Sequence, residues 1–414
     1  MSNRAGERGM STHGRNGRSR IRADDPRTRG QRFDASRPFL RAAALARRHG
    51  ARARRFEREH RPLLVICVAY VAAAAVVEGL LGGDFRIEPT SVFTAVAVAA
   101  LLTSASAAVY ACWVKVTGSY GRGGLLRARA WRDFAARHLE GRWFGGFIII
   151  ALLVGPFRDA FLYFKRMILV IQPFAWDRRI ADWDRALHFG RDPWTLLDGW
   201  LGHPLLTNAI DVAYHLWFPL GVVLVAWQAF TVRDRVRMQF LVSYMLVWMI
   251  LGTGAATLLS SAGPCYYGLV TGDGARFAPL LDYLARVHEA HGLLAVETQR
   301  FLWAGYQGTI PIHLGISAMP SIHVALSVLY AILGWKTAPW LGAALTIFAI
   351  VIQVGSVHLG WHYALDGYVS ILATPLLWAA TGRLLRWYDR RAEIARVPAT
   401  TAARDPELSI ARGD

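Results

Sequence analysis

Two histidines near the end of the chain stand where polar loops give way to apolar, membrane-length segments: one in SAMPSIHVA (residues 317–325), the other in VHLGWHYALD (residues 357–366). The first stretch reads as a helix entry. Ser317 is available as a cap, Pro320 has the fixed φ that suits a first turn, and the apolar run SIHVALSVLYAILGW follows. His323 then falls in the first turn, where free backbone N–H groups and the positive dipole end favour a phosphate-like anion. In the second stretch His362 and Asp366 are four residues apart and share one face of a helix. A carboxylate so placed accepts the proton of one imidazole nitrogen and leaves the other nitrogen as a nucleophile. Two histidines, one carboxylate and a helix N-terminus are the parts of a phosphoryl-transfer site.

The pair Pro320-Ser321-Ile322-His323 and His362-Tyr363-Ala364-Leu365-Asp366 resembles the second and third signature motifs of the type 2 phosphatidic acid phosphatase superfamily, P-S-x-H followed by H-x-x-x-D. SSAGPCYY (260–267) and DRALHFGRDPW (184–194) are similar to the inositolphosphotransferase branch, which includes inositol phosphorylceramide synthases. The likeness covers roughly residues 140–385 and leaves the first sixty or so outside. It implies that His362 attacks phosphorus in line and becomes a phosphohistidine, while Asp366 holds its tautomer and stabilises the cation. His323 would protonate the leaving oxygen and then activate the acceptor. Ser321 and the N–H groups beside it would hold the phosphoryl oxygens. No metal or other cofactor is implied, and His288 and His291 in VHEAH do not have zinc-site spacing.

Two cations of the wider superfamily are missing. Its hydrolases carry K-x6-R-P as a first motif and an arginine six residues before the nucleophile; here Ser356 stands at that second position, and TLLSSAGPC, in the order of the first motif, has no cation. Lys165 does begin a K-x6-Q-P run, but two helices too early, so the run is taken as coincidental. A phosphoryl group still needs positive charge near its oxygens. Arg158, Lys165, Arg166 and Arg300 are the candidates on the expected side of the membrane. His358 and His313 lie near the two motifs but out of register with them.

Composition sets the class of protein that must position these groups. The chain has 414 residues, is 54% hydrophobic and has a mean hydropathy of +0.27. Length alone allows two or three soluble domains, but the long apolar runs indicate a polytopic membrane protein. Cys67 and Cys112 lie inside apolar runs and Cys265 in a loop, which is not a disulfide framework. Of the net charge of +18, residues 1–62 carry +12, from 18 Arg against 6 Asp and Glu. This lead reads as a largely disordered cytoplasmic tail obeying the positive-inside rule. No aromatic residues are interleaved for base stacking, so no nucleic-acid partner is expected, and the apolar segment starts too late for a signal peptide. The amphipathic stretch Phe39–Phe56 suits an anionic membrane surface.

The expected fold is an all-α membrane bundle of about eight spans: 63–82, 92–114, 144–172, 205–229, 238–260, 320–335, 339–357 and 361–385. In domain terms, a tail (1–60) precedes two additional spans with a cytoplasmic link (61–139). A six-span catalytic domain (140–386) and a second tail (387–414) follow. The third span is read as one long helix although Arg158 and Asp159 interrupt it; these two either neutralise each other or serve function. Residues 173–204, with Trp176, Trp183, Trp194 and Trp200, suit short interfacial helices, and the outer loop 261–317 carries a polar helical piece ending near Arg300. Eight spans put both termini and the arginine-rich stretches 115–142 and 230–237 on one side, and the openings of spans six and eight on the other. Both histidines thus fall on the extracytoplasmic face of a plasma-membrane protein.

The function expected is phosphoryl transfer or hydrolysis on a lipid phosphate or phosphodiester head group, since water and an alcohol can discharge the same phosphohistidine. The alternative is a transporter or channel using Arg158, Asp159, Asp211 and His215, weakened by the lack of an inverted repeat. A catalytically inactive relative is the third reading, opposed by the intact His323, His362 and Asp366.

Overall fold

The computed structural model describes residues 36–116, 142–231, 234–311 and 314–394. Residues 1–35 of the basic lead, nearly all of the link 121–142, the end of the C-terminal tail and His313 lie outside them, whereas residues 36–62 of the lead are helical. Every regular element among the described residues is helical. Helices α1 (Ser36–Leu81) and α2 (Pro89–Val116) come first, and Phe39–Phe56 lies within α1. Next come α3 (Arg142–Leu152) and α4 (Arg158–Ile171), joined by one π-helical turn. Two short helices follow, α5 (Asp177–Leu187) and α6 (Pro193–Leu201). Helices α7 (Pro204–His215) and α8 (Trp217–Phe230) then run nearly end to end before α9 (Asp234–Leu246) and its π-helical continuation Val247–Ala255. The last five are α10 (Ala278–His291), α11 (Leu294–Tyr306), α12 (Ile322–Thr337), α13 (Pro339–His358) and α14 (Ala364–Ile394).

Seven stretches are long and apolar enough to cross a bilayer: Glu59–Leu81, Pro89–Val109, Phe144–Ile171, Pro204–Phe230, Arg235–Leu258, Pro339–His358 and Ala364–Arg391. The protein is therefore a multi-pass helical membrane bundle. Its exposed aliphatic side chains, among them Val68, Leu101, Val223, Ile347 and Leu372, are what lipid rather than water accepts. The eighth expected span is α12, which has only 16 residues. At 1.5 Å per residue it is about 24 Å long, short of a hydrocarbon core of about 30 Å. It is apolar on all sides because it is enclosed: Val324, Ala325, Leu326, Leu329 and Leu333 are fully buried where α12 packs along α13 and α14.

The interrupted third span is continuous, as expected, but bent. Pro156 has no N–H to give the helix, Gly155 adopts a non-helical φ/ψ of −93°/−110°, and the ladder widens into a π turn over Leu153–Phe157. The polar piece of the outer loop is two helices rather than one. Gly292, with φ of +70°, ends α10, and α11 carries on to Tyr306, past the expected end at Arg300.

Candidate active site

Helix α5 fixes the frame of the site. Asp177 and Asp184 are two turns apart on one face of it, and both are buried. The Asp177 carboxylate accepts hydrogen bonds from the N–H groups of Ala262 and Gly263, both at 2.9 Å, and from the Tyr363 hydroxyl at 2.8 Å. Burial pushes its carboxyl pKa up, and these donors pull it back. The Asp184 carboxylate accepts from Ala364 N–H at 2.9 Å and Leu365 N–H at 3.0 Å, and so caps α14. Burial raises its pKa to about 6 against those bonds and the nearby His188. Neither aspartate stood out in the sequence, because their partners lie 85 and 180 residues away.

The loop that Asp177 grips in turn holds both histidine loops. Cys265 N–H donates to the Gly360 carbonyl at 2.9 Å, next to the turn that presents His362. On the other side Ala318 N–H donates to the Ser261 carbonyl at 2.9 Å and Met319 N–H to Ser261 Oγ at 3.1 Å. Those two bonds hold 318–319 outside the helix, so the expected entry is corrected. Ser321, not Ser317, is the cap of α12, its Oγ accepting from Val324 N–H at 3.4 Å, and Pro320 precedes the cap. His323 remains in the first turn, as expected. At Gly263, with φ of +95°, a Cβ would lie 2.5 Å from the Trp361 carbonyl oxygen, so only glycine lets the two loops close.

His362 Nδ1 lies 3.2 Å from Asp366 Oδ2, which also accepts from Tyr363 N–H at 3.1 Å. The two side chains do not meet as neighbours on one helix. Helix α14 begins at Ala364, and they meet across its entry, where Ser356 carbonyl holds His362 N–H at 3.0 Å. Asp366 is completely buried, and its Oδ1 has no hydrogen-bond partner among the described residues. The His323 ring faces His362 with 6.3 Å between ring centroids. It is stacked on Tyr214 at 4.7 Å and packed against Trp217 at 4.3 Å, so it is clamped by rings while its nitrogens make no hydrogen bond among the described residues. Reacting atoms are brought to about 3–3.5 Å before bond formation, so rings this close can address one phosphoryl group between them.

The first-turn N–H groups are divided unequally. Those of α14 at Ala364 and Leu365 are taken by Asp184, whereas Ile322 and His323 at the start of α12 have no intrahelical acceptor and remain to meet an anion. Of the four candidate cations, Lys165 on α4 packs through its backbone against the Gly315 loop, which leads toward α12, and no carboxylate pairs with it among the described residues. The other three lie elsewhere. Arg158 is half exposed and paired with Asp159 at 3.5 Å, and Asp159 also accepts from Ser91. Arg166 reaches the Asp84 carbonyl at 3.5 Å, and Arg300 is on the exposed face of α11.

His358 and Asp211 have structural partners. His358 Nε2 is 2.9 Å from Thr207 Oγ1. Asp211 caps α11 through Leu294 N–H at 2.7 Å and Ala295 N–H at 3.0 Å, which accounts for a charge that the transporter reading placed on a pathway. Beside α5 a cleft of about 580 Å³ opens, but its Arg276 is already tied to Asp182 at 2.7 Å and Asp192 at 2.8 Å.

A family model described as PAP2 superfamily matches residues 178–380, just under half of the chain. That segment is similar to the PAP2 superfamily and contains Asp184, Ser321, His323, His362 and Asp366; its boundaries leave Arg158, Lys165 and Arg166 outside. It supports a phosphatase-type enzyme and does not favour the transporter. Searches of curated proteins and of solved structures each gave no match.

Proposed function

We propose that this protein is an integral membrane enzyme that removes or transfers the phosphoryl-bearing head group of a lipid through a phosphohistidine on His362. The observation that carries the reading is the His362–Asp366 pair facing the clamped His323 across 6.3 Å, inside the segment similar to the PAP2 superfamily.

The steps follow from the groups present. His362 keeps its Nδ1 proton on Asp366, so Nε2 holds the free lone pair and attacks phosphorus. A nitrogen–phosphorus bond forms as the phosphorus–oxygen bond to the leaving group breaks, and the departing oxygen takes a proton from His323. The buried Asp366 carboxylate stabilises the imidazolium that results. His323, now neutral, takes the proton of an incoming water or alcohol, whose oxygen bonds to phosphorus as the nitrogen–phosphorus bond breaks. The N–H groups of Ile322 and His323, the Ser321 hydroxyl and the Lys165 ammonium are the proposed holders of the phosphoryl oxygens. The chemistry proposed needs no metal ion. Lys165 replaces, from another helix, the cations of the wider family that Ser356 and TLLSSAGPC lack.

The arginine-rich link and tails argue for cytoplasmic termini and an extracytoplasmic site in the plasma membrane. The absence of the usual cation pair, with SSAGPCYY holding both histidine loops, favours the inositolphosphotransferase branch over simple phosphatases. The test is release of phosphate from a lipid phosphate, or head-group exchange onto an alcohol, by purified protein in detergent with chelator present. His362→Ala and His323→Ala should each abolish it with folding intact. Wild-type activity in both would overturn the proposal.

A further inference from the structure

The far end of α14 carries a second feature, remote from the histidines. Arg386 is 20 residues beyond Asp366 on that helix. At 1.5 Å per residue the two are about 30 Å apart, the thickness of a hydrocarbon core. Arg386 therefore sits at the opposite membrane boundary, which the positive-inside rule makes cytoplasmic.

A groove of about 420 Å³ opens there between the starts of the Glu59–Leu81 and Arg235–Leu258 spans and the end of α14. Four guanidinium groups line it, Arg235, Arg237, Arg386 and Arg390, against only two carboxylates, Glu59 and Asp389. Arg237 is 4% exposed and anchored to the carbonyls of Gln228 at 3.0 Å and Ala229 at 3.2 Å, so it forms a fixed cationic floor. Arg235, Arg386 and Arg390 make no ion pair among the described residues. Arg386 and Arg390 are one turn apart on α14, and both line the groove. Guanidinium forks match phosphate oxygens in pairs.

The walls distinguish a lipid from a dissolved anion. Met238 and Leu385 line the groove beside its charges, and the helix surface next to it exposes Leu384 and Trp387. Trp387 carries the Arg391 guanidinium 4.3 Å over its ring, an arrangement suited to the interface between head groups and tails. A pocket with surplus arginines at the head-group level and apolar walls at the tail level suits an anionic phospholipid. We infer that this groove binds the phosphate of an anionic phospholipid from the leaflet opposite the active site, as a structural ligand that ties the first, fifth and last spans together.

The test uses the full-length protein in a neutral detergent, with its unfolding midpoint read as lipid is added. Phosphatidylglycerol should raise the midpoint, and phosphatidylcholine or inorganic phosphate at the same concentration should not. Arg386→Gln/Arg390→Gln should weaken the response roughly tenfold or more, since each removes a charge-assisted bond. Both side chains are exposed, so the fold should tolerate the change; Arg235→Gln provides a second variant. His362→Ala should respond like the wild type, which separates this groove from the substrate site and makes the result independent of the proposed reaction. No response to phosphatidylglycerol, or an equal response in the arginine variants, overturns the inference. An equal response to inorganic phosphate reassigns the groove to soluble anions and overturns the lipid assignment.

Discussion

Asp366→Asn removes one charge and almost nothing else. The Asp366 Oδ2 atom receives both hydrogen bonds, from His362 Nδ1 and Tyr363 N–H, while Oδ1 has no partner among the described residues. An asparagine amide can therefore keep its oxygen in the Oδ2 place and put its NH2 where Oδ1 was. Both bonds survive, and so should the entry of α14. What is lost is attraction for the imidazolium that forms when His362 is phosphorylated. At the observed 3.2 Å and an effective dielectric of about 20, that attraction is about 5 kcal/mol. A loss of this size slows the chemical step by roughly 10³–10⁴. A buried NH2 without an acceptor costs about 1–3 kcal/mol of stability, which leaves a folded protein to assay. Single-turnover cleavage of a lipid phosphate in detergent micelles isolates the chemical step, and thermal unfolding monitors the fold. A well-folded Asp366→Asn protein within about threefold of the wild-type single-turnover rate would refute the electrostatic role assigned to this carboxylate.

Two further predictions concern groups around that pair. Lys165→Gln should lower kcat by about 10²–10³, the effect of losing one strong oxyanion donor, while Arg158→Gln, Arg166→Gln and Arg300→Gln should each stay within a few-fold of wild type. Steady-state kinetics on the four variants checks this, and an unchanged Lys165→Gln enzyme would remove Lys165 from the site. Burial holds the Asp184 carboxyl at about 6 rather than 3.8, so between those pH values the folded chain keeps a proton that the unfolded chain has lost. Its contribution to stability is thus fully present below about pH 4, falls as pH rises to about 6, and is flat above. The whole shift is worth about 3 kcal/mol at most. The unfolding midpoint of the wild type should therefore fall relative to Asp184→Asn across that window; parallel profiles would show that Asp184 does not titrate as its burial implies.

Residue types at fixed spacing made the proposed reacting groups legible. His323, His362 and Asp366 could be picked out because a nucleophile needs its carboxylate within a turn, and an anion site needs a helix start. The multi-pass fold was legible from apolar runs alone, but α12 was taken for an ordinary span. Hydropathy cannot separate a helix facing lipid from one enclosed by other helices. Ser317 was mistaken for the cap because the bonds that hold Ala318 and Met319 outside the helix come from Ser261, far back in the chain. The same distance hid Asp177 and Asp184, whose partners are backbone N–H groups that carry no sequence signature. Lys165 was legible as a candidate cation near the outer surface, whereas its packing against the Gly315 loop follows from no spacing rule.

The most direct measurement is to quench the wild-type protein during turnover of a lipid labelled at its phosphorus and to locate the label. The account predicts an acid-labile, base-stable phosphoramidate on the peptide that contains His362, present in wild type and missing from His362→Ala. Turnover with no bound label, or label carried as an ester on Ser321, would contradict it.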